Sequence, residues 1–286
     1  MLTTSSLREA LAALVSSVGV FFYLRGVNLS MYRMWSCFCG AVAVSAALLL
    51  AGCGAPQNAN VRVVNASPGL AESPTVQVGV IQVVGGLPYG TEGVDQEGQY
   101  SGPPDSTGDY RLVGSGTNEN ILVYTQTASS PLAKQTQTLV QSDFYTVVML
   151  GASPNTGLLT LADDDSAPQS GDFKWRIVDT SGDAGPVDIY LTTPGASLVG
   201  QTPVVSNMAF GQYTAYFQLK PGSYVVQVTQ HGNTASALFA ASFAPAGNNI
   251  YTSYFLDPPT SATANYGLLT TDDPVAVTKA STPAKP

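Results

Sequence analysis

Val61-Arg62-Val63-Val64 is answered 114 residues later by Trp175-Arg176-Ile177-Val178, and this echo decides the fold. Each run alternates like a strand, with an arginine set between apolar neighbours. Working outward, Tyr110, Gly116, Tyr145 and Thr146 recur as Tyr216, Gly222, Tyr251 and Thr252, all at an offset of 106. Leu158-Leu159-Thr160 and Asp163 recur as Leu268-Leu269-Thr270 and Asp273, at an offset of 110. Offsets that change in steps mark insertions in loops. The first copy is eight residues longer between its Arg and its Tyr, and the second is four longer before its last strand. Each copy holds about seven strand candidates parted by Gly, Pro, Asn and Asp turns. The chain reads as all-β, with two tandem Ig-like antiparallel β-sandwich domains at 61–163 and 173–273 joined by a linker at 164–172.

Period-2 alternation is clearest in Tyr224 to Thr229 and in Tyr145 to Met149. The second run is apolar on both faces, which predicts a central strand covered on both sides. Lys220-Pro221-Gly222-Ser223 and Gln230-His231-Gly232-Asn233 bracket the first as turns. The tail, 274–286, has the composition of a disordered segment.

Ahead of the first copy, Leu50-Ala51-Gly52-Cys53 closes a short apolar run, Ala41 to Leu50, that follows Arg33. This resembles the bacterial lipoprotein signal: a basic start, an apolar segment too short to span a bilayer, and small residues for the peptidase. The resemblance implies a signal peptide at 31–52, diacylglycerol on the Cys53 sulfur with a further acyl chain on the new amino terminus, and a tether at 53–60. Several chains hold a protein at a membrane far longer than one. A second apolar run, Ala10 to Leu24, lies further upstream. Residues 1–30 are read as an extension ahead of a start at Met31 or Met34, the alternative being a membrane segment. Localisation in the cell envelope follows, on the outer membrane if the cell has two, since Gly54 is not the Asp that retains some lipoproteins at the inner one.

Past Cys53 the chain carries 8 basic and 18 acidic residues, a net charge of −10. Nucleic acid is therefore not expected as a partner, because phosphate binding needs clustered Lys and Arg. Cys37 and Cys39 fall in the signal, so no internal disulfide is available to the mature chain and its stability must come from packing.

Val61-Arg62-Val63-Val64-Asn65-Ala66-Ser67-Pro68 resembles the opening motif of domain of unknown function 4397, a bacterial envelope domain often found in tandem. Gly185-Pro186-Val187-Asp188-Ile189-Tyr190, Lys220-Pro221-Gly222-Ser223-Tyr224 and Tyr251-Thr252 resemble its later motifs. The resemblance implies two copies over most of residues 60–273, a fold and a compartment, but no catalytic residues. The family often has His where this chain has Asn65 and Asp179, so any role of that His is not retained.

Candidate chemistry is sparse. His231, the only histidine, sits in a turn and reads as a solvated residue rather than a catalytic base. With one His and no cysteine to spare, a zinc site with N and S ligands is excluded. Asp163-Asp164-Asp165, Asp272-Asp273 and the looser set Asp179, Asp183 and Asp188 offer oxygen ligands for calcium, but adjacent strand residues point to opposite faces. No metal, cofactor or catalytic residue is assigned, and no carboxylate pair is marked out for glycoside hydrolysis. Gly85 to Gly90 lacks the Lys-Ser/Thr of a phosphate loop. The segment Gly85 to Gly108, with seven glycines and three prolines, holds Tyr89 and Tyr100, the candidate ligand-binding residues, which would stack on sugar rings or anchor a protein. The expectation is a non-catalytic, membrane-anchored binding module for an envelope protein or polysaccharide. The alternatives are a structural or assembly factor and a carbohydrate-active hydrolase.

Overall fold

The computed structural model describes residues 57–70, 74–93, 110–125, 128–259 and 265–275. The upstream extension, the signal peptide, Cys53, Tyr100 and most of the tail lie outside them. The described chain is all-β and contains no helix.

The first half runs β1 (Asn58–Ala66), β2 (Thr75–Val78), β3 (Ile81–Gly85), β4 (Thr91–Gly93), β5 (Arg111–Gly114), β6 (Gly116–Tyr124), β7 (Ala133–Leu139), β8 (Phe144–Leu150) and β9 (Gly157–Asp163). The second runs β10 (Phe173–Asp179), β11 (Val187–Thr192), β12 (Val205–Met208), β13 (Phe217–Leu219), β14 (Tyr224–Gln230), β15 (Phe239–Phe243), β16 (Ile250–Leu256) and β17 (Gly267–Asp273). Each half is a two-sheet sandwich. The orders are β4-β1-β8-β9, with β5 also on β1, and β3-β2-β6-β7 in the first, then β13-β10-β16-β17 and β12-β11-β14-β15 in the second. Most pairings are antiparallel, as expected, but β1 with β8 and β10 with β16 are parallel. These central strands are joined through the opposite sheet, a crossover that brings both in with the same direction.

Period-2 alternation explains how the halves meet. On β1, Ala59, Val61 and Val63 face the first sandwich core, while Val64 and Ala66 face out of it into a third apolar cluster. On β10, Phe173, Trp175 and Ile177 face the second core and Val178 enters the same third cluster. Val148 and Leu161 from the first half and Tyr254 and Leu256 from the second complete it. The run Tyr145 to Met149 is a central strand buried throughout, as its two apolar faces predict: Tyr145, Val147 and Met149 fill the first core and Val148 the shared one. Both sandwiches therefore belong to one compact unit, Pro56–Pro286.

The repeated Tyr145 and Tyr251 pin the strand entries. Each phenol oxygen accepts a main-chain N–H five residues upstream, from Val140 at 3.0 Å and Ala246 at 3.1 Å.

Candidate functional site

Arg62 and Arg176 sit on the strand faces that meet between the halves, and both are buried. A buried guanidinium is tolerated only when its donors are matched. Arg62 donates Nε–H to Thr146 Oγ1 at 2.8 Å and Nη1–H to the Asp272 carbonyl at 2.9 Å, and it pairs through Nη2 with Asp273. Arg176 does the same in reverse: Nε–H to Thr252 Oγ1 at 3.1 Å, Nη1–H to the Ala162 carbonyl at 3.0 Å, and Nη2 to Asp163 at 2.5 Å. Each arginine thus binds a carboxylate of the opposite half. Tyr110 donates to Asp163 at 2.8 Å and Tyr216 to Asp273 at 2.6 Å, while each ring lies under its own half's guanidinium, 4.8 Å and 4.6 Å from the ring centres. Thr146 and Thr252 donate to the same two carboxylates at 2.6 and 2.5 Å.

Burial acts against the charge on Arg62, but the nearby Asp273 and Asp163 carboxylates hold its pKa well above the usual arginine value. Burial pushes the Tyr110 and Tyr216 phenols up as well, so both stay protonated and keep donating. This reciprocal clasp is sealed from solvent, and its carboxylates face arginine, tyrosine and threonine. Two acidic residues weighed for calcium, Asp163 and Asp273, are thereby committed to protein donors. Among the described residues no three His, Cys, Asp or Glu side chains gather closely enough to hold a metal ion.

Near the clasp the strand ends are braced by a second exchange. Gly90 and Gly211, both at positive φ (71° and 78°), donate N–H to the carbonyls of Asn65 and Asp179 at 2.7 and 2.8 Å. The residue before each glycine reaches into the other half. Tyr89 donates its hydroxyl to the Asp257 carbonyl at 2.6 Å and packs on the third cluster, and its pKa is raised by burial. Phe210 lies beside Gly151 of the first half, its ring 3.7 Å from where a Cβ would stand. Tyr89, expected on a contact loop, is therefore a half-buried strut whose hydroxyl is already spent.

Asn65 and Asp179 occupy equivalent places and differ in charge. Asn65 donates Nδ2–H to the Leu87 carbonyl at 2.9 Å and accepts the Ser67 N–H. Asp179 accepts the Ser181 N–H, but its Oδ2 finds no hydrogen-bond partner. Burial raises its pKa to about 7, and the nearby Asp257 charge adds to the rise. Asp257 in turn accepts Gly182 and Asp183 N–H at 3.0 and 3.1 Å and pairs with Ser181 Oγ. The two carboxylates are both buried rather than facing one another across an open cleft.

An accessible feature of the second half is an open depression of about 430 Å³. Val205, Ser206 and Met208 line one side, and Gln212, Tyr213 and Thr214 the other. Its backbone is fixed to β10: Asp179 N–H donates to the Gln212 carbonyl at 2.9 Å, Thr214 N–H donates to Ile177 at 3.0 Å, and Val178 bridges Tyr213. Tyr213 is nonetheless 53 % exposed and Phe210 42 %. Behind Ser206 lies Asp188, whose Oδ1 accepts Ser206 Oγ–H at 2.9 Å, Asn207 N–H at 2.8 Å and His231 Nδ1 at 2.8 Å, while Oδ2 accepts Gly232 N–H at 2.8 Å. Burial opposes the Asp188 charge, but the Gly232, His231, Asn207 and Ser206 donors outweigh it and bring its pKa down to about 2. His231 is half-exposed in its turn, as expected, but it is oriented by Asp188, which the sequence offered only as part of a loose calcium set.

Tyr213 and Phe210 were also missed. They sit in a stretch without strand alternation, and only alignment of the two halves through Gly90 and Gly211 reveals them.

Comparison with known proteins adds one assignment. A domain of unknown function, DUF4397, is found at residues 59–190. The match takes in the whole first half and continues into β11, so it crosses the boundary expected at Asp163. DUF4397 is shown once where two copies were expected, and the likeness of the second half rests on the strand and landmark correspondences above. No curated protein matches the chain. Among solved structures, the Bacillus anthracis TIE protein matches at 9 % identity and a TM-score of 0.21, over 70 % of this chain, which spans about a third (34 %) of that one. A study of alpha-glucan recognition by family 41 carbohydrate-binding modules from streptococcal virulence factors supplies another, at 11 % identity and 0.24, over 68 % of this chain and 92 % of that one. A putative cell adhesion protein from Bacteroides fragilis matches at 10 % identity and 0.18, over 77 % of this chain and 100 % of that one. All three TM-scores are under 0.5, so none of these likenesses bears on function here.

Proposed function

We propose that this chain is a non-catalytic binding protein of the bacterial cell envelope, held at a membrane by acyl chains on Cys53 and presenting a rigid double sandwich to a partner there. The observation that carries this reading is the contrast between a sealed clasp and an open depression. The arginines and carboxylates of the clasp are buried and matched to one another, whereas Tyr213 stands exposed on a backbone fixed to a central sheet. Preorganised aromatic side chains make effective contacts because little freedom is lost on binding. The leash is short: β1 begins at Asn58, and the five residues from Cys53 to Asn58 reach at most about 18 Å. The partner therefore lies close to the membrane.

Crosslinking in living cells tests this, comparing the full chain with Cys53→Ala and with Tyr213→Ala. Membrane association lost in the first variant and a crosslinked envelope component lost in the second are the expected results. A Cys53→Ala chain that stays in the membrane fraction, or an adduct pattern indifferent to Tyr213, contradicts the reading.

A further inference from the structure

We infer that the depression between β12 and Gly211–Thr214 is a saccharide subsite for an uncharged, hydroxyl-rich glycan, with Tyr213 as the stacking platform and the Ser206–Asp188–His231 relay as its hydrogen-bonding rim. This rests on the binding reading above and gives it a ligand class.

A sugar ring has an apolar C–H face and an equatorial belt of hydroxyls, so it asks for an exposed aromatic face flanked by mixed donors and acceptors. Tyr213 supplies the face, pinned beneath by its bridge to Val178. Gln212 is exposed and its Oε1 accepts Ala209 N–H at 2.9 Å, which leaves its amide N–H groups to act as donors. Ser206 donates to Asp188 and so presents its lone pairs as acceptors. The ionised Asp188 accepts from the His231 nitrogen that faces it and so orients a half-exposed imidazole, whose other nitrogen is free to hydrogen-bond a ligand hydroxyl. Ser206 Oγ and His231 Nδ1 bind the same oxygen, which keeps them within about 6 Å of each other, the scale of one sugar ring.

Charge sets the class. No basic residue lines the depression, Asp188 lies directly behind it as an anion, and the chain beyond Cys53 is strongly acidic. An acidic glycan would meet repulsion with nothing to compensate it. A protein partner is disfavoured by the lining: a stable protein interface wants about 800 Å² per side around an apolar centre. Here Ser206, Gln212 and Thr214 break up the apolar surface. At the equivalent place in the first half Glu92 stands where Tyr213 does and turns to Arg62 at 3.3 Å, so no stacking platform is presented there.

The test uses the purified full chain on columns carrying a neutral hexose polymer, an N-acetylhexosamine polymer and a uronic acid polymer. Alongside the wild type run Tyr213→Ala, Tyr213→Phe and His231→Gln, with a photocrosslinker placed at Gln212 in cells. The expected result is retention on one or both uncharged polymers and none on the uronate. Tyr213→Ala should weaken binding at least tenfold, Tyr213→Phe should keep it within about threefold because stacking survives, and His231→Gln should lose several-fold. Far-UV circular dichroism controls for folding. Retention on the uronate alone, or wild-type retention by Tyr213→Ala, overturns the saccharide assignment. A protein captured from Gln212 without polymer retention overturns it too, while sparing the binding reading. No retention and no capture overturn both.

Discussion

The first half and the second share strand order, clasp residues and turn glycines, yet they part at four equivalent places: Asn65 against Asp179, Tyr89 against Phe210, Glu92 against Tyr213, and Gly151 against Asp257. In the first half each choice closes a contact. Asn65 holds the Leu87 carbonyl, Tyr89 crosses to Asp257 and Glu92 pairs with Arg62. In the second half, Asp179 is left with an unmatched oxygen, Phe210 crosses to Gly151 yet keeps part of its ring in solvent, and Tyr213 stays exposed. The same scaffold, used twice, has been kept tight on one side and freed for contact on the other.

The clasp is common to both halves, so breaking it should cost most. Asp273→Ala leaves Arg62 buried without its carboxylate and removes the acceptor of Tyr216 and Thr252, and urea unfolding should show a loss of about 3–5 kcal/mol. Replacing both partners, Arg62→Met with Asp273→Leu, should recover most of that loss, because no charge is then stranded.

The Asn65–Asp179 difference predicts a dependence on pH. The Asp179 pKa, raised to about 7 in the folded chain, means that the folded state binds the extra proton between about pH 4 and 7. Stability from this group is full below pH 4, declines as pH rises through 7, and is lost above it. Asp179→Asn, which copies the first half, should stabilise the protein at pH 8 by roughly 2–4 kcal/mol and make little difference at pH 4. Thermal melts at the two pH values read this directly, and an equal shift at both would contradict the assignment.

Making the struts alike is a smaller change. Tyr89→Phe removes only the bond to the Asp257 carbonyl and should cost about 1 kcal/mol. Smallest of all, Tyr213→Ala should alter stability by less than about 0.5 kcal/mol, since the side chain is mostly solvated.

Much of this was legible in the sequence. The strands follow from alternation, and Tyr145 to Met149 reads correctly as a central strand because its two faces are both apolar. Arg62, Tyr110, Thr146 and Asp163 stand out as repeated landmarks, and they are the clasp. Their pairing across the halves was not legible, because which carboxylate an arginine meets depends on how two sheets pack, not on spacing along a strand. Tyr89 misleads for a related reason: its Gly- and Pro-rich neighbours suggest a free loop, while Gly90 turns the chain so that the ring crosses to the other half. Tyr213 has no repeated signal, since its counterpart is Glu92.

The central claim is that the two sandwiches unfold as one body. Beyond Cys53 the only tryptophan is Trp175, buried in the second core, so its fluorescence reports that half alone. Val147→Ala opens a cavity in the first core and should cost about 2 kcal/mol. Measured in urea on the chain from Gly54 onward, the Trp175 transition of this variant should move to lower denaturant together with the far-UV signal. A Trp175 midpoint that stays at its wild-type value, while the first half melts early, would contradict the account.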